Sequence, residues 1–151
     1  MTPLFKKLNL GHIESILVLN APSSFEAEIS QLVGITVFRR AASDTKLSFA
    51  IGFAVTQAEC DLVSSIVATA TEGDSIVWIA YPKGASKKYK CEFNRDDGWT
   101  VLGAAGFEPV RQVAIDADWS ALRFRRTEHI KSLTRSNTMA ISLEGKRRTK
   151  R

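Results

Sequence analysis

The stretch TQAECDLVSSIVATATEGDSIVWIAYP, residues 56–82, decides how the chain is read. Thr56 and Glu59 have the spacing at which a cap hydroxyl and a carboxylate each satisfy a backbone N–H of the first helical turn, so a helix starts there. Leu62, Val63, Ile66, Val67 and Ala70 then fall on one helical stripe, and Gly73 is the expected stop. After a Gly-Asp turn, Ser75 to Tyr81 is dominated by β-branched and aromatic residues with no proline before Pro82, which predicts a central strand. A capped amphipathic helix feeding an apolar strand is the pattern of a sheet covered by helices.

Upstream, Ser15 to Asn20 is a short aliphatic run, as expected of a strand buried on both faces. Ala21-Pro22 ends it. Ser23 and Glu26 repeat the capping-box spacing ahead of Phe25, Ile29, Leu32 and Val33, so a helix is expected over about 24–33, stopped by Gly34. Ile35 to Phe38 and Leu47 to Phe53 read as two more strands separated by the polar turn Arg39 to Lys46, an order compatible with antiparallel pairing. Downstream, Trp99, Val101, Leu102, Ala104 and Ala105 suggest a short helix ended by Gly106. Pro109 to Ile115 and Trp119 to Phe124 flank an Asp-Ala-Asp turn and are expected to pair as a terminal hairpin, the second strand near a sheet edge.

Composition narrows the class. With 44% hydrophobic and 25% charged residues, the 151-residue chain is an ordinary globular sequence. Its most continuous apolar run, Ile76 to Tyr81, falls far short of the roughly 18 residues that span a bilayer. The first residues lack the apolar core and cleavage site of a secretory signal, and Cys60 and Cys91 have no Cys-x-x-Cys or His partners, so no metal site is read. A cytoplasmic, soluble protein with free thiols and no membrane contact is expected. The net charge of +5 is unevenly placed: residues 1–122 hold 11 Lys and Arg against 14 Asp and Glu, whereas residues 123–151 hold 10 against two. Residues 1–126 are therefore read as one α/β domain, and 127–151 as a basic extension, partly disordered.

Three segments together resemble a small bacterial family known only as a domain of unknown function. They are the early strand with its Ala-Pro step (Val18 to Pro22), the aromatic-Pro-Lys end of the central strand (Trp78 to Lys83), and the Trp-Ser-x-Leu-x-Phe hairpin strand (Trp119 to Phe124). The resemblance spans roughly residues 10–125 and departs at the Lys-rich insert after Lys83. It implies a three-layer Rossmann-like open sheet of five or six strands, mostly parallel and ending in an antiparallel hairpin. It carries no activity, cofactor or catalytic residue with it.

Candidate sites follow from where open α/β sheets hold ligands, outside the carboxyl ends of their strands. The loop after the central strand offers Lys83, Lys87, Lys88 and Lys90 to an anion, with Gly84 allowing close backbone approach. Asn20, Tyr81 and Asp116 are expected at the same edge. A lysine-rich loop is more often a solvated connection, Asp in a hairpin is ordinary turn chemistry, and the first strand-to-helix turn lacks the glycines of a nucleotide fingerprint. No cofactor is read. His12 and His129 lie beside no Ser or Cys nucleophile, so no catalytic triad is nominated. Trp78, Trp99 and Trp119 are placed in the core or at its margin.

The placement of positive charge favours a domain with no catalytic constellation that holds an anionic partner, nucleic acid or a phosphate-bearing ligand, through the lysine loop and a tail containing Arg147 and Arg148. The alternative is an enzyme or sensor that binds a small ligand or nucleotide at the carboxyl ends of the strands. Pairing of two copies through the hairpin edge or an apolar helix face is compatible with either.

Overall fold

The computed structural model describes residues 2–42, 44–94 and 96–130. The capping box at Thr56 forms: its hydroxyl accepts from Glu59 N at 3.1 Å, and the Glu59 carboxylate accepts from Thr56 N at 3.0 Å. Helix α3 (Gln57–Ala70) starts there and passes straight into strand β4 (Thr71–Pro82). Gly73 is therefore not the helix stop. It lies inside β4 at φ +58, where the strand buckles before joining its neighbours in regular register from Ile76.

The remaining elements are α1 (Pro3–Lys7), β1 (Ser15–Leu19), α2 (Ser23–Ile29), β2 (Thr36–Phe38), β3 (Leu47–Phe53), α4 (Thr100–Ala104), β5 (Phe107–Ala114), β6 (Trp119–Arg126) and a 3-10 turn at Thr127–His129. Six strands form one sheet in the order β2-β1-β3-β4-β6-β5. The first four run parallel, and β6 runs antiparallel to both β4 and β5. This is the mostly parallel Rossmann-like sheet with an antiparallel end pair that the sequence leads one to expect.

Three details differ from the sequence reading. The strands at 36–38 and 47–53 are not partners, because β1 inserts between them and is parallel to both. Strand β6 is interior and β5 is the edge, which explains why Trp119 to Leu122 are all buried instead of alternating with solvent. Helix α2 is shorter than expected and has no side-chain cap; Glu26 turns instead to Arg39, gripping its guanidinium at 2.6 and 2.7 Å.

Two apolar layers sandwich the sheet. On one face Leu17, Ala50, Val77, Ile79, Leu122 and Phe124 meet Cys60, Val63 and Val67 of α3 and Leu102 of α4. On the other, Ile16, Val18, Phe49, Ile51, Trp78 and Ala121 meet Phe25 of α2 and Leu4 and Phe5 of α1. Trp78 is fully buried, and its indole N–H donates to the Leu8 carbonyl just beyond α1 at 2.9 Å. All three tryptophans are buried, as expected. Beyond β6, the Arg126 guanidinium donates to the carbonyls of Ala68, Thr71 and Gly73 and lies 4.5 Å over the Phe107 ring, fastening the C-terminus of α3 to the sheet. Thr127 is buried against the body, and the tail, with Arg147 and Arg148, lies outside the described residues. Among the described residues no helix is long and apolar enough to cross a membrane.

Gly52 sets the separation of α3 from β3, since a Cβ added there would lie 2.1 Å from Val63 Cγ1. Gly52→Ala is expected to cost about 1–3 kcal/mol through overpacking. Urea unfolding of G52A, V63A and the double variant checks it: the double variant should be more stable than the sum of the single losses predicts.

Candidate functional site at the carboxyl ends of the strands

The parallel strands end together at Leu19, Phe53 and Pro82, and because β6 is antiparallel its first residue, Trp119, pairs with Pro82 at this same edge. The β5–β6 turn therefore joins the edge as well. Its geometry is that of an Asx turn: Asp116 Oδ1 accepts from Asp118 N at 2.8 Å and Trp119 N at 2.9 Å.

Residues 83–94 form a strap over this edge. At the start, Lys83 N donates to the Asp118 carbonyl at 2.8 Å and Ser86 Oγ donates to Asp118 Oδ1 at 2.9 Å. Ser86 Oγ also accepts from the backbone N–H groups of Lys88 and Tyr89, both at 3.2 Å, which folds the lysine segment into a turn. Midway, the Tyr89 ring packs on Trp119 with centroids 5.0 Å apart. At the far end, Glu92 N donates to the Val55 carbonyl at 3.1 Å, and Glu92 Oε1 accepts from Gln57 N at 2.8 Å, placing a carboxylate at the start of α3. Phe93 then packs against Tyr81 and Trp99 at 5.9 and 5.2 Å. Gly98, at φ +98, lets the chain return past it, since a Cβ there would be 2.6 Å from Phe93 Cβ.

Strap and strand end form an open cavity of about 620 Å³, among whose lining residues are Tyr81, Lys83, Ser86, Tyr89, Cys91 and Phe93. That volume is in the range of small-molecule sites. The cavity joins aromatic walls to hydroxyl, thiol and ammonium groups. The Tyr81 hydroxyl is oriented by Gln112 Nε2, which donates to it at 3.0 Å from β5.

Of the residues singled out in the sequence, Tyr81, Lys83, Gly84, Lys87, Lys88 and Lys90 all line this cavity. Asn20 and Asp116 share the edge but lie outside the lining: the Asn20 amide donates to the Phe53 carbonyl at 3.3 Å, and Asp116 Oδ2 accepts from Ser24 Oγ at 3.0 Å. The roles of Ser86, Tyr89 and Glu92 rest on contact with residues at least 30 positions away, and that of Phe93 on rings at Tyr81 and Trp99, none of which local sequence reveals. Among the described residues no group of His, Cys, Asp and Glu has the makings of a metal site.

The two thiols differ. Cys60 is fully buried in α3, and burial pushes its thiol up from an ordinary 9.0 to about 12. Cys91, half-buried in the cavity wall, is also raised, again by burial first. A folded-state value above the unfolded one favours the native protein fully below about pH 9, and that part of the stability is lost as pH climbs through 9 towards 12. A haloacetamide at pH 8 should alkylate Cys91 in the native protein and Cys60 only after unfolding. Equal native rates, read by peptide mass spectrometry, would contradict this placement.

No protein-family model matches the sequence, and no curated protein matches it significantly. Solved structures do share its fold. N-methyltransferase NodS from Bradyrhizobium japonicum WM9 is 11% identical, with a TM-score of 0.53 over 82% of this chain and 92% of that one. Magnesium protoporphyrin IX methyltransferase (ChlM) from Synechocystis PCC 6803, solved with bound SAM, is 12% identical, with a TM-score of 0.51 over 82% and 74%. The cyclase SpnF is 9% identical, with a TM-score of 0.52 over 82% and 79%. These findings correct the expected kinship with a family of unknown function: the fold is one shared with solved, characterised enzymes, methyltransferases among them. They also overturn the reading of a domain with no catalytic role, because the fold is shared with solved methyltransferases and a cyclase.

Proposed function

We propose that this chain is an enzyme or sensor that binds a small organic molecule at the carboxyl ends of its parallel strands, beneath the 83–94 strap. The observation that carries the reading is the cavity of about 620 Å³ held open between β4 and a strap anchored at both ends. A loop meant only to connect β4 to α4 has no need of a hydrogen bond from Ser86 to the opposite turn, nor of a carboxylate committed to the start of α3. The rings of Tyr81, Tyr89 and Phe93 suit an apolar or planar body. The lysines suit a polar group at its end.

The solved neighbours support this by precedent: NodS and ChlM are methyltransferases, and SpnF is a cyclase. Because one fold serves both reactions, the chemistry must be argued from the site. A thermal-shift screen of metabolites tests the reading, since a ligand at 100 times its dissociation constant raises stability by about 2.7 kcal/mol. Ser86→Ala, which removes the side-chain tie to Asp118 and the turn it closes, should weaken any hit at least several-fold while the free protein loses about 1.5–3 kcal/mol, the worth of a hydrogen bond to a charged group. A screen without shifts, or a hit indifferent to Ser86→Ala and Tyr89→Ala, would remove the strap cavity as the site.

A further inference from the structure

We infer that the crevice between the carboxyl ends of β1 and β3 does not take an adenosyl cofactor, the group that the methyltransferase fold implies. Open α/β sheets hold nucleotide ligands where the strand order reverses. Here that reversal falls between β1 and β3, since the chain proceeds from β1 to β2 on one side and then to β3 on the other. At such a crevice, glycine lets the ligand approach the backbone, the first helix offers free N–H groups, and a carboxylate about 20 residues on takes the ribose hydroxyls. The glycine and the carboxylate are not met by the residues present, and a carboxylate of this chain stands beside the first helix.

At the first turn stands Asn20, at φ +58. It adopts the left-handed conformation that glycine favours, yet it carries a side chain, and its amide reaches across the crevice to the Phe53 carbonyl at 3.3 Å. The ends of the two strands that would part around a ligand are thus laced together. Pro22, at the N-cap of α2, has no N–H to offer, and the first turn of that helix is joined by Ser24 Oγ to the Asp116 carboxylate at 3.0 Å. A negative charge therefore stands beside the helix start that would face an anion.

The next position is inverted in charge. β2 ends at Phe38, and the following residue is Arg39, a donor-only guanidinium that is itself taken up bidentately by Glu26. Beneath the crevice the space is filled by rings in series: Phe5 on Phe25 at 5.4 Å, Phe25 on Phe53 at 4.8 Å, and Phe53 on Trp119 at 5.2 Å. The fold and the crevice therefore disagree, and the strap cavity at the end of β4 is a separate opening.

Hydrogen–deuterium exchange of the full chain with millimolar S-adenosylmethionine, and separately with S-adenosylhomocysteine, tests this. Unchanged exchange in residues 19–25 and 53–56 is expected. Protection of both segments by either compound would overturn the inference. Protection confined to 81–94 would uphold it while giving the strap cavity an adenosyl ligand, and failure of the metabolite screen would count against that cavity alone.

Discussion

The burial of β4 on both faces is the constraint from which the rest of the structure follows. From Val77 to Pro82 every residue is buried, with Val77 and Ile79 under α3 and Trp78 and Ala80 under the layer formed by α1 and α2. Filling one face of a strand costs only a helix, but filling both requires layers on either side and hydrogen-bonded neighbours at either edge. Strand β3 supplies one edge and β6 the other. The Trp78 indole nitrogen, buried with the strand, is matched by the Leu8 carbonyl, so the chain just beyond α1 is held by a donor that would otherwise be costly to bury.

Because β6 is antiparallel, the central strand's carboxyl end meets a turn instead of another open strand end. The Asp116–Asp118 turn is brought against the chain leaving Pro82, and Asp118 receives both Lys83 N and Ser86 Oγ. The strap then crosses the edge and ends at Glu92, on the first turn of α3. Its two anchors thus lie on either side of β4, at the β5–β6 turn and at the start of α3. Sheet topology, more than the lysines themselves, makes a cavity of the lysine segment.

How much of this was legible in the chain follows from the range of the interactions. The capping box at Thr56, the apolar run ending at Tyr81 and the hairpin around Asp116 are local, and each occurs as its residues indicate. The pairing of the strands at 36–38 and 47–53 was misread because adjacency in sequence suggests adjacency in space, whereas a parallel partner from earlier in the chain lay between them. Helix α1 was passed over although Thr2 caps it and Pro3 occupies its first turn, since five residues are too few to show a period. The lysines and Tyr81 could be placed at the strand end from Pro82 alone. Ser86, Tyr89 and Glu92 could not, for what gives each its role is a partner across the edge.

The same distinction separates fold from chemistry. A sheet order is stabilised by apolar area spread over many residues, so it persists at 11% identity to NodS. A cofactor crevice depends on a few positions, and here those positions bear an asparagine amide turned on Phe53, a proline, and an arginine paired with Glu26. Each is compatible with the sheet, and each places a side chain or a satisfied charge where a ligand would need space or a partner. Substitutions of this kind leave the core energetics almost untouched. The cavity this chain does form lies elsewhere on the carboxyl edge, where the strap leaves β4.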